Sequence, residues 1–212
     1  MQDYLLITGV GLLAQLFFSL RMLHQWIKTE QAKRIISPSL FWVFSICGAY
    51  LLMLYGWLRA DFAILLGQFI SYYVYLWNLN ANGIWRRLSL ILRALLMFTP
   101  PVAAVSILLS VDDVAATLFR NPDIPPALLA FGSFSLTLFT VRFLYQWRYS
   151  ARLGSSVLPM GFWYISFAGA FLTTIYGLLR LDIVLILGQA LGLVAYSRNI
   201  IIGLRAARAS RS

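Results

Sequence analysis

The chain has 212 residues, of which 61% are hydrophobic and only 11% charged, and its formal net charge is +10. A soluble globular domain is about a quarter charged, so this composition excludes one and places the chain in a lipid bilayer. The single cysteine, Cys47, excludes an internal disulfide and argues against a cysteine metal cluster.

Seven stretches free of Asp, Glu, Lys and Arg follow one another, at 4–20, 35–58, 62–85, 94–111, 124–141, 153–179 and 183–197. Crossing a bilayer takes about 20 residues, and snorkelling side chains extend the shorter stretches, so the sequence predicts seven transmembrane helices. The first has only Asp3 ahead of its apolar run and no basic n-region, the pattern of a retained span rather than a cleaved leader. Pro38, Pro125-Pro126 and Pro159 open the second, fifth and sixth spans, where a missing amide hydrogen is harmless. Pro100-Pro101 fall inside the fourth and predict a kink. Gly67 with Ser71 and Gly188 with Gly192 put small residues on one face of the third and seventh spans, which favours close helix packing.

The chain is also written twice. An ungapped shift of 121 residues superimposes Arg21 on Arg142, Gln25-Trp26 on Gln146-Trp147, Pro38 on Pro159, Phe41-Trp42 on Phe162-Trp163 and Asn78 on Asn199. About 22 of the 61 positions from 18 to 78 are identical in the second copy, so one structural unit is used twice. The spans divide as three, one and three: a first repeat in residues 1–85, a linker helix with its loop in 86–123, and a second repeat in 124–212. Three crossings reverse the direction of the chain, and the extra linker crossing restores it, so the two repeats run parallel.

Loop charge orients this arrangement. Lys28, Lys33, Arg34, Arg86, Arg87, Arg148, Arg152, Arg205, Arg208 and Arg211 fall on one side, while Arg59, Arg120 and Arg180 share the other with Asp3, Asp61, Asp112, Asp113, Asp123 and Asp182. Cytoplasmic loops are rich in Lys and Arg, which places the N-terminus outside and the C-terminus in the cytoplasm. The surplus positive charge then faces anionic lipid headgroups rather than nucleic acid.

Arg-x-x-x-Gln-Trp, Pro-x-x-Phe-Trp-x-x-Ser-x-x-Gly, Tyr-Gly-x-x-Arg-x-Asp, Leu-Gly-Gln and the final Asn occur in both copies. Together they resemble the lipid A biosynthesis N-terminal domain, in tandem. The resemblance implies kinship with the PQ-loop and SWEET superfamily, hence an all-α integral membrane protein with a 3+1+3 helix arrangement. It also implies residence in the bacterial inner membrane and a role in lipid A or envelope glycan synthesis. The glycosyltransferase portion of the synthases that carry this domain has no counterpart in this sequence.

Catalysis is not expected. All seven carboxylates lie at or beyond helix ends, and the lone His24 is replaced by Tyr145 in the second copy. No acid pair, triad, metal-ligand set or glycine-rich phosphate loop can be drawn, so no cofactor is expected. Three paired features carry the polar chemistry instead.

Tyr55, Arg59 and Asp61 with Tyr176, Arg180 and Asp182 stand at the outer helix ends. They serve as helix caps and headgroup anchors or, by the SWEET resemblance, as an outer gate. Arg21 and Gln25, with Arg142 and Gln146, share polar helix faces with His24, Lys28, Tyr145 and Tyr149. Arginines placed so deep either snorkel or face a cavity, and a guanidinium suits a phosphate better than a neutral sugar. Gln68, Tyr75 and Asn78, with Gln189, Tyr196 and Asn199, supply amides and hydroxyls for interhelical bonds or for substrate. The reading is alternating-access movement of a lipid-linked or phosphorylated sugar. Its alternative is a non-transporting partner that anchors or regulates an envelope glycosyltransferase.

Overall fold

The computed structural model describes residues 2–59, 62–110, 125–181 and 183–209. Among them are seven α-helices and no strand: α1 Gln2–Ala32, α2 Ser39–Leu58, α3 Phe62–Ala81, α4 Leu90–Ser110, α5 Pro126–Leu153, α6 Met160–Arg180 and α7 Ile183–Ala209. Four of these, α1, α2, α6 and α7, are long and apolar enough to cross a membrane by length and composition. At about 1.5 Å per residue, α1 is longer than the ~30 Å hydrocarbon core.

Prolines set the helix starts. Pro38 and Pro159 occupy the N-cap positions of α2 and α6 in extended conformation, with φ −72° and −70°. Pro125 caps α5, and Pro126 is its first helical residue, where no amide hydrogen is missed. Gly154 ends α5 in the left-handed region, at φ 65°.

Helix α4 runs through Pro100 and Pro101. Each proline lacks the N–H that would bond the carbonyl four residues back, which orphans the carbonyls of Leu96 and Met97. The hydroxyls of Tyr72 and Tyr73 on α3 donate to those two oxygens, at 2.7 and 3.0 Å. Bare polar backbone is unfavourable in an apolar surrounding, so these two tyrosines satisfy the linker helix and tie it to the first repeat.

Consecutive helices pack as α1–α2–α3 and α5–α6–α7, and α1 meets α7 while α3 meets α5. The six helices therefore close into a ring, with α4 outside it. Gln25 pairs with Asn199 and Gln15 lies over Gly188, so α1 and α7 run the same way; Asn78 with Gln146 and Gly67 with Thr140 show the same for α3 and α5. The core inside the ring is aromatic, with Phe41, Trp42, Tyr72, Tyr75, Phe143, Phe162 and Trp163 almost wholly buried.

Candidate functional site

The polar stripe of α1 runs at intervals of four residues, through Arg21, Gln25 and Thr29, and that of α5 through Arg142, Gln146 and Ser150; all six are buried. His24 is only partly buried, and Lys28, Tyr145 and Tyr149 are exposed, so the inward face is narrower than an i, i+3, i+4, i+7 pattern implies. Thr29 and Ser150 are members that a search for large polar residues misses. Their signal is the i+4 spacing from each glutamine.

One turn beyond the arginines the stripe closes on itself. The Nε2 of Gln25 donates to Asn199 Oδ1 at 2.9 Å, and Asn199 Nδ2 donates back to Gln25 Oε1 at 3.1 Å. Gln146 and Asn78 repeat this, at 2.9 and 3.0 Å. Thr29 and Ser150 accept a second proton from each glutamine, at 2.9 and 2.8 Å. Each asparagine also donates to its own helix, at Ala195 and Val74. The four amides are 0% exposed and each pair joins one repeat to the other. Ser156 adds a bond to Asn78 and contacts Ser37. On the α1–α7 side alone, Glu30 accepts two bonds from the Arg198 guanidinium; the corresponding positions in the other half are Ala151 and Trp77.

On the far side of the arginines is a cavity of about 100 Å3, room for several waters. Arg21, Gln68, Tyr75, Arg142, Gln189 and Tyr196 all line it, together with Gln15, Ser71 and Tyr55. Gln25, Asn78, Gln146 and Asn199 do not; their amides face one another.

The arginines are each 4% exposed. Among the described residues, Arg21 donates to Ser45 at 3.0 Å and to Tyr75 at 3.4 Å, whereas Arg142 donates only to Tyr196, at 2.9 Å. The Nε of both is buried without an acceptor. Both stand over the ring of Phe143, at 5.5 and 4.7 Å, with Phe18 and Phe139 on their other sides at 4.4 and 4.2 Å. Neither has a carboxylate partner among the described residues. Aromatic faces offset part of a cation's desolvation, about 2 kcal/mol or more for a good buried contact, and hydroxyls carry no countercharge. Two guanidinium groups therefore converge on one cavity with no carboxylate beside them among the described residues.

At the other end of the cavity, Arg59 stands 5.8 Å over Tyr55, and Arg180 both stands over Tyr176 and donates to its hydroxyl at 3.0 Å. Both contacts lie within one repeat. The tyrosine rings sit where a β-carbon would be at Gly11 and Gly132, 2.8 and 2.5 Å away, so only glycine lets α1 and α5 approach them. Asp61 and Asp182, the remaining members of the expected gate, lie outside the described residues.

The Lipid A Biosynthesis N-terminal domain model matches residues 10–80 and again 131–201, more than half of the chain. Among curated proteins, the chain is 31% identical over 211 residues to the lipid-A-disaccharide synthase of Chlamydia abortus, covering 92% of this chain and 32% of that protein. It is 30% identical to that of Chlamydia caviae over 90% of this chain and 32% of the relative. With that of Chlamydia pneumoniae it shares 31% identity over 81% of this chain and 29% of the relative. The chain thus spans about a third of the length of these relatives. No solved structure matches it.

Proposed function

The chain belongs to the Lipid A Biosynthesis N-terminal domain family, and we propose that it is a bacterial inner-membrane carrier for a lipid-linked or phosphorylated sugar used in lipid A or envelope glycan synthesis. The single observation behind this reading is the pair of buried, carboxylate-free arginines on one cavity. A phosphate between them matches the guanidinium fork and supplies the missing charge. The chain crosses the membrane seven times as two parallel three-helix repeats and a linker, a SWEET-like and PQ-loop-like arrangement with the N-terminus outside. The cavity lies on the outer side of the amide layer, which seals the inner side. Alternating access opens one side as the other closes. Tyr55, Arg59 and Asp61, with Tyr176, Arg180 and Asp182, form the outer gate.

Two experiments test this. Cysteines at positions 112 and 208 label from opposite faces of the membrane, the first from outside; labelling of both from one face rules out seven crossings. In proteoliposomes, a labelled polyprenyl-phosphate sugar crosses faster than in protein-free vesicles and faster than a neutral sugar.

A second reading has its own support: the relatives matched are lipid-A-disaccharide synthases, of which this chain spans about a third. The domain then anchors or regulates an envelope glycosyltransferase without moving anything. Stable co-purification with such an enzyme, together with no flux in proteoliposomes, selects it.

A further inference from the structure

Three glutamines share the cavity with the arginines: Gln15 on α1, Gln68 on α3 and Gln189 on α7. None makes a side-chain hydrogen bond among the described residues, and Gln68 Oε1 is buried with no donor in reach. Gln15 also departs from the internal repeat, since Leu136 stands 121 positions on. Its amide lies across Gly188, with Oε1 2.7 Å from where a β-carbon would sit there. Any larger residue at 188 would displace it. At the equivalent place in the other half, Gly67 faces the Thr140 hydroxyl, at 3.0 Å.

The two ends of the cavity ask for different chemistry. Guanidinium groups only donate, and the oxygens of an ionised phosphate only accept, so a phosphate satisfies the arginines completely. It offers nothing to the carbonyl of Gln68. That oxygen needs an O–H or N–H, and an amide with both a donor and an acceptor is the natural partner of a hydroxyl. Gln15 stands six residues from Arg21, and Gln68 seven from Tyr75, both toward the Tyr55 end. This is about 9–10 Å along the helix axis at 1.5 Å per residue, a distance a glutamine side chain shortens by reaching inward.

We infer that Gln15 and Gln68 form a hydroxyl-reading subsite for the sugar ring of a phosphorylated sugar whose phosphate lies between Arg21 and Arg142, and that Gln15 determines specificity for the sugar. The inference rests on the proposed binding of a phosphorylated sugar. It adds a direction: phosphate toward the amide layer, ring toward the Tyr55 end.

The test is calorimetric titration of the full chain in nanodiscs, at a pH where the phosphates are dianions, with two phosphate monoesters, a hexose 1-phosphate and ethyl phosphate, which share the anion but differ in ring hydroxyls. The wild type prefers the hexose phosphate on the order of tenfold, the worth of one or two net hydrogen bonds. Gln15→Leu, which installs the second repeat's residue, and Gln68→Met each remove most of that preference and leave ethyl phosphate binding unchanged. A preference that survives both substitutions overturns the subsite, as does an equal loss of both ligands. If the wild type binds both esters equally, the subsite alone falls, with its orphan amides held by water. If it binds neither, the phosphate reading falls and the subsite with it.

Discussion

Two layers of the ring both carry side-chain amides, ten residues apart along α1, α3 and α7, roughly 15 Å, and they differ in whether those amides are paired. In the inner layer, the amides of Gln25, Asn78, Gln146 and Asn199 are paired with each other across the repeats. In the cavity, Gln15, Gln68 and Gln189 have no partner among the described residues, and two guanidiniums keep unbonded Nε–H groups. Buried polar groups are ordinarily satisfied. The first layer therefore reads as what holds the repeats together, and the second as what waits for a ligand. Residue type does not distinguish a lock from a site; partnership does.

Removing a partner from the inner layer has the largest effect. Asn199→Leu strands the Gln25 amide in an apolar ring, and the expected loss is about 1–3 kcal/mol, read as a lower midpoint of thermal unfolding in detergent. Gln25→Leu added to it recovers much of the loss, because two apolar groups leave nothing unsatisfied. The same midpoint in Gln68→Leu stays within about 0.5 kcal/mol of wild type or rises. Equal destabilisation by Gln68→Leu and Asn199→Leu would erase the distinction between the layers.

Tyr72→Phe and Tyr73→Phe test a satisfied pair outside both layers. Each bares a carbonyl that a proline has already orphaned, so each costs about 1 kcal/mol and speeds hydrogen exchange in α4 while leaving α6 unchanged. An unchanged α4 would show that its carbonyls find other donors. The smallest effect belongs to Glu30→Gln. That carboxylate is partly exposed beside Arg198, so the loss is at most about 1 kcal/mol and shrinks in high salt. A salt-independent loss would instead mark it as part of the buried lock.

Much of this architecture is legible in the amino-acid sequence. Hydropathy and proline positions predict seven transmembrane helices; seven helices are present among the described residues, four of them long and apolar enough to cross a membrane. The internal repeat singles out Arg21 and Arg142, and the structure places both on one cavity. Partners are where legibility ends. Gln25 and Gln146 share the arginines' helix faces at i+4, and nothing in the spacing tells an amide bound to Asn199 or Asn78 from one aimed at a substrate. That depends on how two distant helices register. Gln15 escapes for a different reason: a search for paired positions discards a glutamine whose mate is Leu136. The tie between Tyr72-Tyr73 and Pro100-Pro101 is hidden because it joins a repeat to the linker, where no symmetry guides the eye.

Carrier function as proposed depends on Arg21 and Arg142 holding a phosphate, and the decisive quantity is the flux of a labelled polyprenyl-phosphate sugar into proteoliposomes carrying Arg21→Lys or Arg142→Lys. Lysine keeps the charge and loses the planar fork, so flux falls on the order of tenfold in both. Arg142→Lys is the more damaging, because Arg142 gives one bond to the protein where Arg21 gives two. Near-wild-type flux in both variants, or a neutral sugar carried as fast as the phosphorylated one, would contradict phosphate binding by the two arginines.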